Sequence, residues 1–261
     1  MRRFYVPKSR WKGERARLSP DQCRHLTRVL RMGPGDSIAV FDGEREYEAR
    51  IVGAGKSRRW QDKGGAWCEI TKKPAAGARH ASPLQITLAP AILKAKRMDM
   101  VIEKAAELGA SRIAPFVSSR CVVKVGTAKL SHWRKIAESA ASQSGRVKVP
   151  EICQPASFDE ILRIEADLKV MLLQEDSKKG LDQIISRWRD ARALSRRDLK
   201  PGPTTVMLVV GPEGGFSEDE VQKAKGRGFL TWGLGAAVLR AETASIAGLA
   251  ILTHALIASF D

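Results

Sequence analysis

A continuous apolar run, Val206-Met207-Leu208-Val209-Val210, passes directly into Gly211-Pro212-Glu213-Gly214-Gly215-Phe216, and Ser217 follows with Glu220 three residues on. Five apolar residues in a row, bounded by a turn signal, read as a strand. Ser217 and Glu220 spell a capping box, so a helix opens at Ser217. A strand that passes through a glycine loop into a helix fits an α/β domain. Sheets of this kind take their ligands beyond the carboxyl ends of the strands, where glycines let a ligand approach the backbone closely. A nucleotide-like ligand at this loop is one reading, and a tight turn with no ligand is the other.

The rest of residues 84–261 has the same alternation. Short apolar strands are predicted at Leu84–Ala89, Val170–Leu173 and Thr205–Val210, with helical stretches between them. One helix is predicted over Met98–Leu108, with Met98, Val101, Ile102, Ala105 and Leu108 at helical spacing and Gly109 as its stop. A charged helix is predicted over residues 182–197, with Ile184, Ile185, Trp188 and Leu194 on its apolar side. The segment before residue 84 differs. Ser37–Phe41, Tyr47–Val52 and Trp67–Ile70 read as strands around an Asp42-Gly43 turn, which predicts a small β-rich domain, a barrel. Prolines and small residues over 72–83 mark the linker, giving domains at 1–73 and 84–261.

Charge distinguishes the two parts. The chain carries a formal net charge of +16, and residues 1–83 hold 19 Lys and Arg against 9 Asp and Glu, net +10, leaving +6 for the larger remainder. On charge alone the partner is RNA, DNA or an anionic membrane surface. Counterion release favours the denser field as a nucleic-acid platform, through Arg2, Arg3, Lys8, Arg10, Lys12, Arg24, Arg28 and Arg31. The other reading of these residues is a solvated basic surface.

Several classes lose support. The four cysteines form no CxxC pair and the four histidines no HExxH, so neither a metal site nor a disulfide framework is expected. No apolar segment follows the basic start, which argues against a secretory signal and for a cytoplasmic protein. The apolar stretch from Ala244 to Ala258 is too short and too polar for a membrane span. No phosphate-binding GxxxxGK[ST], no complete GxGxxG and no Gly-x-Ser-x-Gly elbow occurs, which weakens ATPase, dehydrogenase and hydrolase readings.

A second loop, Leu234-Gly235-Ala236-Ala237-Val238-Leu239-Arg240-Ala241-Glu242-Thr243-Ala244, leads into that apolar stretch. An Arg and a Glu at the start of a helix that wants to be buried are seldom there for packing. The alternative is a structural ion pair between Arg240 and Glu242.

Arg3-Phe4-Tyr5-Val6, His25-Leu26 with Val29-Leu30-Arg31, Gly35-Asp36 and Asp42-Gly43 recur with Lys94, Glu103-Lys104, Glu107-Leu108-Gly109-Ala110, Pro115, Arg120, Gln143-Ser144 and Arg146. With Gly211–Phe216 and Leu239–Ala244 in that order, the chain resembles the RsmE family of 16S rRNA (uracil-N3)-methyltransferases, of the SPOUT superfamily, over nearly its whole length. The resemblance implies a PUA-like barrel at the N-terminus and an α/β domain ending in a trefoil knot. It also implies a homodimer, S-adenosyl-L-methionine as methyl donor, and N3 of a uridine in 16S rRNA of the small subunit as target. The chain departs from the family at Ala237, where a basic residue is common, and at Ser142, where a Glu is common.

The resemblance places the donor against Leu208, Gly211, Pro212, Glu213, Gly214, Gly215, Leu234, Gly235, Leu239, Arg240, Thr243 and Ala244. Uracil N3 carries a proton at neutral pH, so deprotonation must precede or accompany methylation, and charge spreads onto the flanking oxygens. Arg240 is expected to stabilise that charge, because a guanidinium is a permanent donor and no base. Glu242 or Glu213 is expected to take the proton; holding the loops through backbone hydrogen bonds is the alternative role of both. Arg120 and Arg146 are the expected RNA contacts in the larger part. Ribose 2′-O-methylation by the same fold and a non-enzymatic RNA-binding assembly factor are the rival readings.

Overall fold

The computed structural model describes residues 1–53, 66–73, 84–94, 96–121, 127–174, 180–194 and 204–257. The expected linker beyond residue 73 and the end of the charged helix past residue 194 lie outside them. Contacts divide the chain into two compact units, Met1–Ala81 with Ala141–Val149, and Ser82–Ala140 with Pro150–Asp261.

The first unit holds β1 (Arg3–Tyr5), β2 (Trp11–Lys12), β3 (Arg15–Arg17), α1 (Pro20–Arg24), β4 (Ser37–Phe41), β5 (Glu46–Val52) and β6 (Trp67–Lys72). The strands form one sheet in the order β1-β4-β5-β6-β3-β2. Its two edge strands are neighbours in sequence, and this forces the shape. Laid flat, six strands would separate β1 from β2 by about 24 Å at ~4.8 Å per strand. The link Val6–Arg10 spans about 20 Å at full stretch, and three of its residues are spent on a 3₁₀ turn at Lys8–Arg10. The sheet must therefore curl. The Trp11 indole donates to the Val6 carbonyl at 2.9 Å across the joint, and residues of all six strands meet in one core, among them Phe4, Ala16, Val40, Ile51, Cys68 and Trp11. Among the described residues β1 and β2 do not pair, so the sheet is curled rather than a fully hydrogen-bonded barrel.

Two local features of this unit have clear causes. Asp42 accepts from the amides of Glu44 and Arg45 at 2.8 Å each, and Gly43 takes φ 100°, which makes the expected turn between β4 and β5. Ser19 and Gln22 form a capping box that starts α1, and the helix widens to a π turn over His25–Val29. Arg31, just after that turn, has φ 55°, a left-handed conformation unusual for a side chain with a Cβ.

The segment Ala141–Val149 joins this unit although it lies far beyond the residues assigned to the small domain from sequence. Arg3 explains how. Its Nη1 donates to the carbonyls of Ala141 and Ser142 at 3.3 and 3.2 Å, and its Nη2 to that of Arg146 at 3.3 Å. Its Nε binds Glu46 at 2.8 Å, and its guanidinium lies 5.0 Å from the centre of the Phe41 ring. Val147 and Ala141 pack on Phe41 beneath it.

The second unit is an all-parallel six-stranded sheet, ordered β10-β8-β7-β13-β12-β14, with a separate β11-β9 pair. Its strands are β7 (Leu84–Pro90), β8 (Arg112–Ile113), β9 (Phe116–Val117), β10 (Glu151–Ile152), β11 (Ala156–Ser157), β12 (Leu168–Leu172), β13 (Thr204–Val210) and β14 (Leu230–Trp232). The helices are α2 (Lys96–Leu108), α3 (Thr127–Gln143), α4 (Phe158–Leu162), α5 (Leu181–Leu194), α6 (Glu218–Gly226) and α7 (Ala241–Ile257). The predicted strands and helices are all present, and the boundaries of β4 coincide with the expectation. β13 is central, and its residues from Val206 to Val210 are buried, as an unbroken apolar run requires. α2 buries Met98, Val101, Ile102 and Ala105, and stops where Gly109 takes φ 87°. α7 crosses the sheet at close range through Gly248, where a Cβ would stand 2.7 Å from Leu172 Cδ1.

Two outcomes test this description. Arg3→Ala strands Glu46 and three carbonyls, so it should lower unfolding free energy by about 2 kcal/mol in urea titration. All four cysteines are free; Cys23 and Cys68 are buried, and burial pushes the Cys68 thiol up to about 12. A thiol reagent at pH 8 should therefore modify Cys121 and Cys153, which are partly exposed, well ahead of Cys23 and Cys68.

Candidate active site

β13, β12 and β14 are adjacent in the sheet, and all three end at one edge. Val210, Leu172 and Trp232, the last residues of these strands, form the floor of a cleft of ≈ 820 Å³. Both glycine loops wall it: Gly211 to Phe216 on one side, and Leu234, Gly235 and Ala237 to Ala241 on the other. This is the carboxyl edge, where open parallel sheets bind ligands, and the volume is ordinary for a small-molecule site.

The first loop is held from several directions. Gly215 has φ +68° and its amide bonds the Pro212 carbonyl at 2.9 Å, closing a tight turn. Phe216 then folds back over Gly211: a Cβ on Gly211 would lie 2.9 and 3.0 Å from two of its ring carbons. The ring is stacked on Phe116 and tilted against Phe158, with centroids 6.3 and 5.6 Å away, so it has no room to retreat. Ser217 caps α6 as expected, accepting from the Glu220 amide at 3.2 Å. The Glu220 carboxylate is buried and bridges the amides of Ser217 and Ser119, both at 2.8 Å. Next to Ser119, Arg120 donates to the Gly214 carbonyl at 2.7 Å.

The second loop turns at Gly235, φ +105°, and leads into α7, whose first turn is closed by the Ala244 amide on the Arg240 carbonyl at 2.8 Å. Arg240 is exposed on the cleft and makes no ion pair among the described residues. The Arg240–Glu242 ion pair considered from sequence is not formed. Glu242 points inward, buried, and its cation is Arg97, whose Nε lies 3.8 Å from Glu242 Oε1. Glu242 Oε2 is buried with no hydrogen-bond partner. Arg97 also donates from Nη1 to Glu213 Oε1 at 2.9 Å.

Of the residues assigned to the donor, Gly211, Pro212, Glu213, Gly214, Gly215, Leu234, Gly235, Leu239, Arg240 and Ala244 line the cleft. Leu208 and Thr243 do not: Leu208 is buried within β13 and Thr243 is exposed elsewhere on α7; Glu242, expected as a catalytic carboxylate, lies behind the wall. Arg120, expected at RNA, lines the cleft and braces the first loop. Arg97 and Trp232 were not singled out from sequence, and Glu220 was read only as a helix cap. Only Glu220 carried a signal, the capping box, and its second bond, to Ser119, depends on tertiary structure.

In the first unit Arg3 is engaged internally and is no longer an available RNA contact. Lys8 pairs with Glu44 at 2.8 Å and Arg24 with Asp21, at exposed positions that leave both able to exchange partners. Arg2, Arg10, Lys12, Arg28 and Arg31 are exposed without ion pairs among the described residues, and Arg146 is exposed in the Ala141–Val149 segment. No group of three or more metal-ligating side chains occurs among the described residues.

Gly211→Ala should drive a methyl group into the wedged Phe216 ring. A loss of about 1–3 kcal/mol in unfolding free energy is expected, with altered near-ultraviolet circular dichroism from the Phe116–Phe158–Phe216 cluster.

Residues 80–253 match the model of an RNA methyltransferase domain, and residues 18–58 match that of an RNA methyltransferase PUA domain. The ribosomal RNA small subunit methyltransferase E of Bacillus subtilis (strain 168) is 28% identical over 97% of this chain and 96% of its own. A ribosomal RNA small subunit methyltransferase E from Neisseria gonorrhoeae, solved bound to S-adenosyl methionine, superposes with a TM-score of 0.77 at 31% identity, covering 98% of both chains. A methyltransferase from Legionella pneumophila, solved in complex with the bound cofactor SAM, gives 0.78 at 35% identity over 97% of both. The matched domains and this end-to-end similarity make the chain a member of the ribosomal RNA small subunit methyltransferase E family.

Proposed function

We propose that this protein transfers a methyl group from S-adenosyl-L-methionine to N3 of a uridine in 16S rRNA of the small ribosomal subunit. One observation carries the reading: the two glycine loops, separated in sequence by residues 217–233, wall a single cleft at the carboxyl ends of three adjacent strands. Donor complexes of the Neisseria and Legionella relatives support the choice of ligand. The residues present also fit it. Glycines at 211, 214, 215 and 235 let a nucleoside approach the backbone of the walls closely, and Leu172, Val210 and Trp232 offer an apolar floor.

The bound donor supplies an electrophilic methyl group on a sulfonium, so the chain's own task is to orient the pyrimidine and manage one proton. In this reading Arg240, exposed on the cleft without an internal partner, meets the charge that develops on the uracil oxygens. The N3 proton passes to a carboxylate of the Arg97 cluster, to Glu213 in the cleft wall or through water to Glu242 behind it. Because N3 is on the Watson–Crick edge, the uridine must be unpaired or flipped out, at a cost of a few kcal/mol that phosphate contacts offset. Arg2, Arg10, Lys12, Arg28, Arg31 and Arg146, all of the first unit, are the proposed phosphate contacts.

Three finer features belong to the same reading. The similarity to the ribosomal RNA small subunit methyltransferase E relatives supports a C-terminal trefoil knot. Val238, Ile251 and Ile257 are exposed apolar residues on the second loop and α7, which supports a homodimer that involves this C-terminal region. A ribosomal substrate supports a cytoplasmic location, and no described helix is long and apolar enough to cross a membrane.

Incubation with small subunits and labelled donor, followed by mass analysis of nucleosides, should yield a base-methylated uridine. A ribose-methylated nucleoside would favour 2′-O transfer, and absence of donor binding would favour an assembly factor. Arg240→Ala should lower turnover about 10²–10³-fold while donor affinity in calorimetry stays within a few-fold; equal losses in both would contradict the assigned role.

A further inference from the structure

Among the described residues, Arg97 is the one side chain that pairs with both an acidic residue of the first loop and an acidic residue at the start of α7. Its Nη1 holds Glu213 at 2.9 Å, and its Nε lies 3.8 Å from Glu242. Glu213 stands between Pro212 and Gly214 at the tip of the loop, and Glu242 follows directly on Arg240 and Ala241, which line the opposite wall. Arg97 itself begins α2 and lines the cleft.

Stability does not account for this arrangement. The Arg97 and Glu213 side chains are 45% and 36% exposed, and pairs this open add little to folding. Glu242, by contrast, is buried and leaves one oxygen without a hydrogen bond, a cost that folded proteins seldom carry without a use. A planar guanidinium presents donors on separate edges and can hold two carboxylates in fixed directions, which a lysine ammonium cannot do.

We propose that Arg97 is a positioning residue: it fixes Glu213 relative to Glu242 and so keeps the two glycine loops at the spacing the donor needs. The proposal rests on the donor-binding reading of the cleft. It also separates itself from a simple field effect. Arg97 is a cation, so its field alone opposes a cationic sulfonium ligand, and removing it would tighten binding; loss of positioning weakens binding instead.

Arg97→Met, Arg97→Lys and Glu213→Gln are to be compared with the unaltered protein by calorimetry with S-adenosyl-L-methionine and with S-adenosylhomocysteine, whose sulfur is neutral. Amide hydrogen exchange at Gly214 and Gly215 is to be measured without ligand. Arg97→Met is expected to weaken both ligands tenfold or more and to a similar extent, with partial recovery in Arg97→Lys. Glu213→Gln should shift in the same direction, and both loop amides should exchange several-fold faster in Arg97→Met. Unchanged binding, or tighter binding of the sulfonium ligand alone, would overturn the positioning role. Failure of the unaltered protein to bind either ligand would overturn the reading of the cleft, and the exchange rates would still decide whether Arg97 restrains the loop.

Discussion

The cleft depends on where β13 stops. This strand is the middle of an all-parallel sheet, covered on both sides and flanked by β7 and β12, so its direction and depth are fixed by a full ladder of hydrogen bonds. Its end is fixed as firmly, because Phe216 closes over Gly211 and leaves no space for a side chain there. With Val210 anchored, Gly211–Phe216 emerges at one place on the carboxyl edge, beside the ends of β12 and β14. The second loop reaches the same place because α7 lies against the sheet at Gly248, in contact with Leu172, itself part of the cleft floor.

Much of this was legible in the sequence, for physical reasons that differ by element. The apolar run at 206–210 read as a strand and the Ser217–Glu220 spacing as a helix start, so the first loop was bracketed from both ends. α2 was equally legible, since its apolar positions repeat at helical spacing and Gly109 ends it. The strand order was not, because periodicity says which face is buried and nothing about which strand lies alongside. The curl of the first sheet is an instance: it follows from the short Val6–Arg10 link only once β1 and β2 are known to occupy opposite edges. Membership of Ala141–Val149 in the first unit was hidden for the same reason, since it rests on one arginine reaching three carbonyls far along the chain.

The arginines show most clearly where sequence reasoning ends. Arg3, Arg97, Arg120 and Arg240 are chemically identical, and a basic composition suggests RNA for all of them. Burial and partners divide them. Arg3 is a staple within the first unit, Arg120 braces the Gly214 carbonyl, Arg97 spans two carboxylates, and Arg240 alone of the four faces the cleft without an internal acceptor for its side chain among the described residues. A guanidinium satisfied by protein acceptors has little left to offer a ligand, whereas one left open at a cleft wall is available to meet developing charge. Of the cations expected at RNA, Arg2, Arg10, Lys12, Arg28 and Arg31 of the first unit stay exposed and make no ion pair among the described residues.

The central claim is that the two glycine loops form one binding surface. It is tested most directly by titrating isotopically labelled protein with S-adenosyl-L-methionine and following backbone amide resonances. The account requires Gly211, Gly214, Gly215 and Gly235 to shift together with a single dissociation constant. Perturbation of one loop without the other, or of residues remote from both, would contradict it.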